Sequence, residues 1–293
     1  MATTDIAAAV AAANPKSRRL RELVQAPDIL VMPGAFDPLS ALLFESMGFQ
    51  AIQGSSGGIA ASFGLRNGDN EVLGRDAMLD VYRRLTAAVH VPVNADGEKG
   101  YGGPDEVGET VRRFVLAGAA GMNMEDGDYH AFGAHPQLIP LERAVAKVRV
   151  VDAARRAIGS EFFLNARVDV FITGAEERAA LAEAIRRGNA YAEAGADCIF
   201  FIRAGDAARI GTLVREIKAP VSVLAGPDSP PVRELEDLGV ARVSYGVSFT
   251  RLAASAMQQL AAVLLEKGDP APLLRGGLSM GDMAKFLKDA LPE

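Results

Sequence analysis

Short runs of β-branched and apolar residues recur along this chain, and each is followed by a longer stretch whose apolar positions repeat every three to four residues. That alternation predicts βα units around a parallel sheet. Candidate strands, about eight in number, lie at 29–34, 49–55, 91–96, 121–126, 162–167, 197–202, 220–224 and 242–246. In the helical segment PDEVGETVRRFVLAGAA, Val107, Val111, Phe114 and Val115 share one face, while Glu106, Glu109, Arg112 and Arg113 take the other. Several such segments end in glycine, as in MGF, LAGAAG, EAGAD and DLGVA. Glycine closes a helix at positive φ without steric cost. Eight units in about 250 residues favour a closed (β/α)8 TIM barrel over an open doubly wound sheet. Strands covered on both sides also account for their continuous apolarity.

No composition shift or long linker divides the chain, so residues 1–293 are expected to form a single barrel domain. The last stretch, about 276–293, differs. Gly276 and Gly277 permit a hinge, after which Met280, Met283, Leu287 and Leu291 make an apolar helical stripe over 278–291. An extra C-terminal helix is expected there, either capping its own barrel or packing on a neighbouring subunit.

Composition narrows the function classes. Hydrophobic residues make up 49% of the chain and charged ones 23%, enough apolar material for a large core. A net charge of -6 with both signs mixed leaves no basic stripe to neutralise a phosphate backbone, so no nucleic-acid partner is expected. No apolar run approaches the roughly 20 residues that span a bilayer, and Asp5 precedes the alanine-rich N-terminal run where a secretory signal needs a basic residue. No membrane partner is expected, and the expected location is cytoplasmic. The single cysteine, Cys198, sits in the apolar run DCIFFI and reads as a core residue.

Candidate chemistry gathers where the strands end, which in a (β/α)8 barrel is where reactive groups converge. Strand two ends in GSSGG, strand three in NADGEKGYGG, strand four in NMEDGD and strand five in NARVD. Asp96, Glu98, Glu125, Asp126, Arg167 and Asp169 are therefore expected at one mouth. A set of carboxylates without cysteine or histidine suits a hard divalent ion, Mg2+ or Mn2+. Arg167 offers a fork for a carboxylate or phosphonate, and GSSGG offers hydroxyls and approachable backbone N–H groups. A Schiff-base aldolase would need a lysine on an inner strand, and none of these strands carries one. Lys99 is the nearest, expected to be solvated or paired with an acid.

In this order the motifs resemble the isocitrate lyase and phosphoenolpyruvate mutase superfamily, from PGAFDPLSALLFESMGFQAI through SSGG, GLRNGDNE, VNADGEKGYGG, MNMEDG and FFLNARVDVF to GVARVSYG. The resemblance implies a (β/α)8 barrel whose last helix is swapped within a homo-oligomer, a dimer or tetramer. It also implies an α-oxo acid or enolate site on Mg2+. Asp96 is similar to the principal metal-site aspartate, and Glu98 and Glu125 to the outer carboxylates. Asp69, or Asn67 two residues before it, corresponds to a further polar residue near the metal. Ser55, Ser56 and Gly57 resemble the turn that holds the substrate carboxylate. Gly100, Tyr101 and Asn165 are carried into the binding set with them, and Arg167 faces the reacting group.

The lid departs from the pattern. Isocitrate and methylisocitrate lyases carry a Lys-Lys-Cys-Gly-His type motif after the fourth strand, and the segment GDYHAFGAHPQLIPLE here has no cysteine. Tyr129, His130 and His135 are the proton carriers available there. The expected function is a Mg2+-dependent carbon–carbon lyase or decarboxylase acting on a small 2-oxo or 2-hydroxy dicarboxylic acid through an enolate. The alternatives are a phosphonomutase or phosphonopyruvate hydrolase, and a catalytically silent barrel that binds keto acids.

Overall fold

The computed structural model describes residues 3–66, 70–129 and 135–289. In chain order it contains α1 (Thr3–Gln25), β1 (Leu30–Met32), β2 (Gly34–Ala35), α2 (Pro38–Ser46), β3 (Ile52–Gly54), α3 (Ser56–Ser62), α4 (Arg75–Ala88) and β4 (Val93–Asp96). There follow α5 (Pro104–Leu116), β5 (Gly121–Glu125), β6 (Gly127–Asp128), β7 (Gln137–Leu138), α6 (Leu141–Ala157), β8 (Phe163–Val168) and α7 (Glu177–Glu193). The chain continues through β9 (Cys198–Phe201), α8 (Ala207–Glu216), β10 (Val221–Leu224), α9 (Val232–Asp237), β11 (Arg242–Ser244), α10 (Ser248–Lys267), α11 (Ala271–Gly276) and α12 (Met280–Ala284). Every strand read from the sequence is present at its place.

The large sheet is parallel throughout and runs β1-β11-β10-β9-β8-β5-β4-β3-β2. Its two ends are consecutive pieces of one strand, parted at Pro33, so the sheet closes into an α/β TIM-like barrel. Proline has no N–H to give the ladder, but its carbonyl still accepts from Gln53 N–H at 3.0 Å. Where the first and last strands meet, a Cβ on Gly34 would stand 2.0 Å from the Gly246 carbonyl oxygen. Only glycine allows that approach.

The expected inner face of α5 is where the periodicity put it, with Val107, Val111, Phe114 and Val115 all fully buried. Helix α1 covers the N-terminal end of the barrel. Leu20, Leu23 and Val24 pack there against Leu30, Met32, Phe163 and Cys198, residues at or near the starts of strands. Cys198 is fully buried, and burial pushes its thiol pKa up to about 12, as a core position would.

Of the helix expected over 278–291 the described residues reach 289, and Leu291 lies outside them. Ser279 caps a helix of five residues, Met280–Ala284, and the chain then turns until Lys288 Nζ reaches the Ala87 carbonyl at 2.9 Å, at the end of α4. The apolar stripe is not buried against the chain's own barrel: Met280 is 79% exposed and Leu287 39%. Helix α10, 20 residues long, likewise contains no buried residue. Among the described residues no helix is long and apolar enough to cross a membrane.

Candidate active site

A cavity of about 570 Å³ opens at the C-terminal ends of the strands. Its polar lining includes Ser55, Ser56, Gly57, Asp96, Asn123 and Arg167, with Gln53, Ser244, Thr250 and Arg251 beside them. Phe200, Ile202, Leu224 and Val247 form an apolar wall. The sequence reading placed Ser55, Ser56, Gly57, Asp96 and Arg167 at this mouth. It missed Gln53 and Asn123, which read as inward residues of strands, Ser244, Thr250 and Arg251 at and after the last strand, and the apolar wall, which carries no chemical signal.

Asp96 ends β4 and is gripped from two elements. Its Oδ2 accepts from Ser56 N–H at 3.2 Å and from Ser56 Oγ–H at 2.8 Å. Its own N–H donates to the Tyr82 hydroxyl at 2.6 Å. Tyr82 reaches in from α4 and is fully buried, and burial, with Asp96 beside it, raises its pKa well above the usual tyrosine range. A Cβ on Gly54 would stand 2.3 Å from that ring, so glycine makes room for the tyrosine that sets Asp96. Ser55 caps α3, its Oγ accepting from Gly58 N–H at 3.2 Å, which brings Ser56 and Gly57 to the cavity at the head of that short helix.

Glu98 lies behind this wall. It is 1% exposed and held at a φ of 45°, in the left-handed region costly for a side-chain-bearing residue. Glu71 N–H donates to its Oε2, and the Tyr101 hydroxyl lies 3.4 Å from its Oε1. Glu71 in turn accepts from Tyr101 N–H at 2.7 Å. Tyr101 thus braces the turn after β4, and burial followed by the Glu98 charge raises its pKa. The Gly100 carbonyl accepts from Thr110 at 2.9 Å, and Lys147, a buried residue of α6, donates to the Lys99 carbonyl. Lys99 itself stands 3.5 Å from Asp128. Glu71, the last residue of GLRNGDNE, was missed by the sequence reading, which took Asp69 or Asn67 from that segment.

Arg167, near the end of β8, is 5% exposed and anchors three groups. Nη1 meets Glu125 at 2.5 Å, Nε meets Asp169 at 2.6 Å, and Nη2 donates to the Tyr129 hydroxyl at 2.7 Å. Tyr129 donates to Asp169 at 2.9 Å. Glu125 opens on a smaller cavity of about 210 Å³ beside Lys99, Arg143 and Lys147. Asp126 points away into the outer layer, where the Arg187 guanidinium lies 3.0 Å away and the Tyr191 hydroxyl 2.5 Å. Asn165 is fully buried below the cavity and donates to Asn123 at 2.8 Å. His135 is exposed, with Nδ1 2.9 Å from the Ile172 carbonyl. His130, Asn67 and Asp69 lie outside the described residues.

For a divalent cation the donor set fits in kind, since it offers carboxylate, hydroxyl and amide oxygens and neither thiol nor imidazole. Among the described residues no three acidic, histidine or cysteine side chains stand close enough to hold an ion by themselves. Each carboxylate is instead engaged by a protein donor: Asp96 by Ser56, Glu98 by Glu71 and Glu125 by Arg167.

Residues 20–265 match the family described as phosphoenolpyruvate phosphomutase. The chain is 31% identical over 261 residues to 2-methylisocitrate lyase of Bacillus subtilis (strain 168), covering 85% of this chain and 82% of that protein. It is 32% identical over 282 residues to oxaloacetate decarboxylase of Rhodopseudomonas palustris (strain BisB18), covering 94% of each. Among solved structures it superimposes on phosphoenolpyruvate phosphomutase from Streptomyces platensis subsp. rosaceus with a TM-score of 0.83 and 28% identity, over 92% of this chain and 94% of that one. The family match over residues 20–265, identity above 30% across most of the chain and the shared barrel place this protein in the isocitrate lyase and phosphoenolpyruvate mutase superfamily.

Proposed function

We propose that this protein is a Mg2+-dependent carbon–carbon lyase or decarboxylase acting on a small 2-oxo or 2-hydroxy dicarboxylic acid. The observation that carries the reading is the single wall on which Ser56, Asp96 and Arg167 meet at the C-terminal ends of the strands. Asp96 would hold the ion, with Glu98 and Glu125 as the outer carboxylates, and Mn2+ would serve in its place. When bound, the ion supplies Lewis-acid polarisation of the substrate's oxo oxygen.

The remaining work falls to this chain's own groups. Ser56 fixes the Asp96 carboxylate through two hydrogen bonds, so that oxygen is already oriented when a ligand arrives. Arg167, held rigidly at the wall by Glu125 and Asp169, would orient the departing fragment. Tyr129, which accepts from Arg167 and donates to Asp169, would be a proton carrier for the carbon left by the departing fragment, with His130 and His135 the alternatives. The apolar wall excludes water from that carbanion-like centre.

The test is a Mg2+-supplemented screen of 2-oxo and 2-hydroxy dicarboxylates, read by release of pyruvate, glyoxylate or CO2, with Asp96→Ala in parallel. Turnover lost in Asp96→Ala and in chelator supports the reading. Turnover of phosphonopyruvate alone moves the assignment to the carbon–phosphorus branch, and binding of oxalate without any turnover moves it to a silent barrel. The same reading includes a homo-oligomer. Helix α10 exposes Leu252 and Met257 at 66% each and Leu265 at 88%, large apolar side chains on more than one side of the helix that a second copy would cover. Light scattering checks it, and a monomer at micromolar concentration would refute it.

A further inference from the structure

Below the cavity the barrel is filled by a layer of amides, and one guanidinium sets which way they face. Arg242, in β11, is fully buried, and its contacts among the described residues are with neutral groups. Nη2 donates to Gln53 Oε1, Nη1 to Asn123 Oδ1 at 3.4 Å, and Nε lies 2.9 Å from Met32 Sδ. Its Cζ stands 5.7 Å from the centroid of the Phe200 ring. Burial lowers its pKa to about 10, so it stays protonated at neutral pH.

The two ends of an amide are alike in shape, and hydrogen bonds decide which is which. A guanidinium has only donors, so Gln53 and Asn123 must each turn an oxygen toward Arg242. Asn94 Nδ2 then donates to both of those oxygens, at 2.9 Å each. Turned over, Asn94 would set its own oxygen against two others. Asn165 Nδ2 adds a further bond to Asn123 Oδ1 at 2.8 Å. Donors from three residues therefore converge on one oxygen of Asn123.

Its other end is left for the cavity. Asn123 lines the cavity wall and sits opposite Asp96 in the ladder between β4 and β5. The described residues offer its Nδ2 no acceptor. We propose that Asn123 is a ligand-binding residue, presenting an oriented amide N–H to a carboxylate, oxo or phosphonate oxygen beside Asp96, and that Arg242 is the positioning residue that fixes this orientation. The inference rests on the reading of the cavity as the active site. It also accounts for amides rather than carboxylates as the oxygen partners that touch Arg242, whose charge is felt by Asp96 nearby: a carboxylate in the place of Asn123 would remove the donor from the cavity.

Three variants and one ligand-free measurement test it. Asn123→Asp is nearly isosteric, replaces the cavity donor with an oxygen, and puts a carboxylate beside Arg242, so the fold is kept. Oxalate binding in the presence of Mg2+ should weaken by about tenfold or more, and KM should rise, without a lower melting temperature. Arg242→Gln can both donate and accept, which frees the layer to turn over, and should weaken binding in the same direction. Arg242→Lys, again a donor only, should restore much of it. A purely structural Arg242 would instead lower the melting temperature in both variants while leaving Asn123→Asp at wild-type affinity, which overturns the proposal. In the unliganded protein, side-chain amide exchange followed by NMR should be faster at Asn123 than at Asn94 and Asn165. Equal protection at all three overturns the orientation. If the wild type neither binds oxalate nor turns over any acid of the panel, the active-site reading fails and takes the inference with it. If the wild type does both and Asn123→Asp matches it, the inference alone fails.

Discussion

Replacing Arg167 by methionine removes the cation from a buried set of acids, and the cost can be worked from the geometry. Glu125 is 3% exposed and Asp169 fully buried, with Arg167 at 2.5 Å and 2.6 Å from them. Breaking a buried pair by removing one partner costs about 3–5 kcal/mol, because the remaining charge cannot be rehydrated. Unfolding entropy of about 2.1 cal/mol/K per residue over the 293 residues of this chain amounts to about 0.6 kcal/mol/K. The melting temperature of Arg167→Met should therefore fall by about 5–8 °C. Against a typical total of about 5–15 kcal/mol, that is a large share of the stability. Calorimetry and urea titration measure it directly. Arg167→Lys keeps the charge and loses the fork, so it should fall between the two. The double variant Glu125→Gln/Arg167→Met should recover part of the loss, since one uncompensated carboxylate is gone. A single variant melting within about 1 °C of the wild type would refute the claim that Arg167 compensates buried acids.

Other outcomes follow from single contacts. Gly97→Ala should cost about 1–3 kcal/mol and cut activity sharply, because the new Cβ would stand 2.7 Å from the Asn123 carbonyl and push the strand end between Asp96 and Glu98; wild-type kinetics in this variant would show that the strand end tolerates displacement. Asp126→Asn should lower stability by about 1–3 kcal/mol through the buried Arg187 and Tyr191 contacts, while leaving metal-dependent oxalate binding in place, whereas Asp96→Asn should do the reverse; calorimetry and titration of each variant separate the two roles. Cys198 should resist a thiol reagent at pH 8 in the native protein and react once the chain is unfolded. Its folded pKa, about 12, lies above the ordinary value of 9.0, so its contribution to stability is complete below that ordinary value and is lost as pH rises from it toward 12. A Cys198→Ser comparison over that window reads the effect, and fast labelling of the native thiol would contradict it.

Much of the architecture was legible because barrel strands and helices obey local rules. The apolar runs, the α5 stripe and the helix-ending glycines depend on neighbours a few residues apart, and all eight strands lie where those patterns put them. The tail broke the rule. Met280, Met283 and Leu287 have helical spacing, yet the helix stops at Ala284. A short helix draws most of its stability from the surface it packs on, and spacing along the chain says nothing about that surface.

The site divides along the same line. Residue type and position at strand ends were enough to single out Ser55, Ser56, Gly57, Asp96 and Arg167, since a closed barrel must bring those ends to one mouth. Which carboxylates line the cavity and which brace it was not readable. Asp126 and Glu125 are adjacent in sequence, but alternation along the strand sends one to Arg187 in the helical layer and the other to Arg167 inside. Glu71, Tyr82 and Arg242 come from other elements, and no local pattern marks them as partners of Glu98, Asp96 and Asn123. Hydrogen bonds between residues tens of positions apart exist only once the barrel has closed. The chain's order of residues thus determined its fold and which residue types reach its mouth, while closure alone decided the orientation of each group, because orientation is set by the donor that arrives from across the barrel.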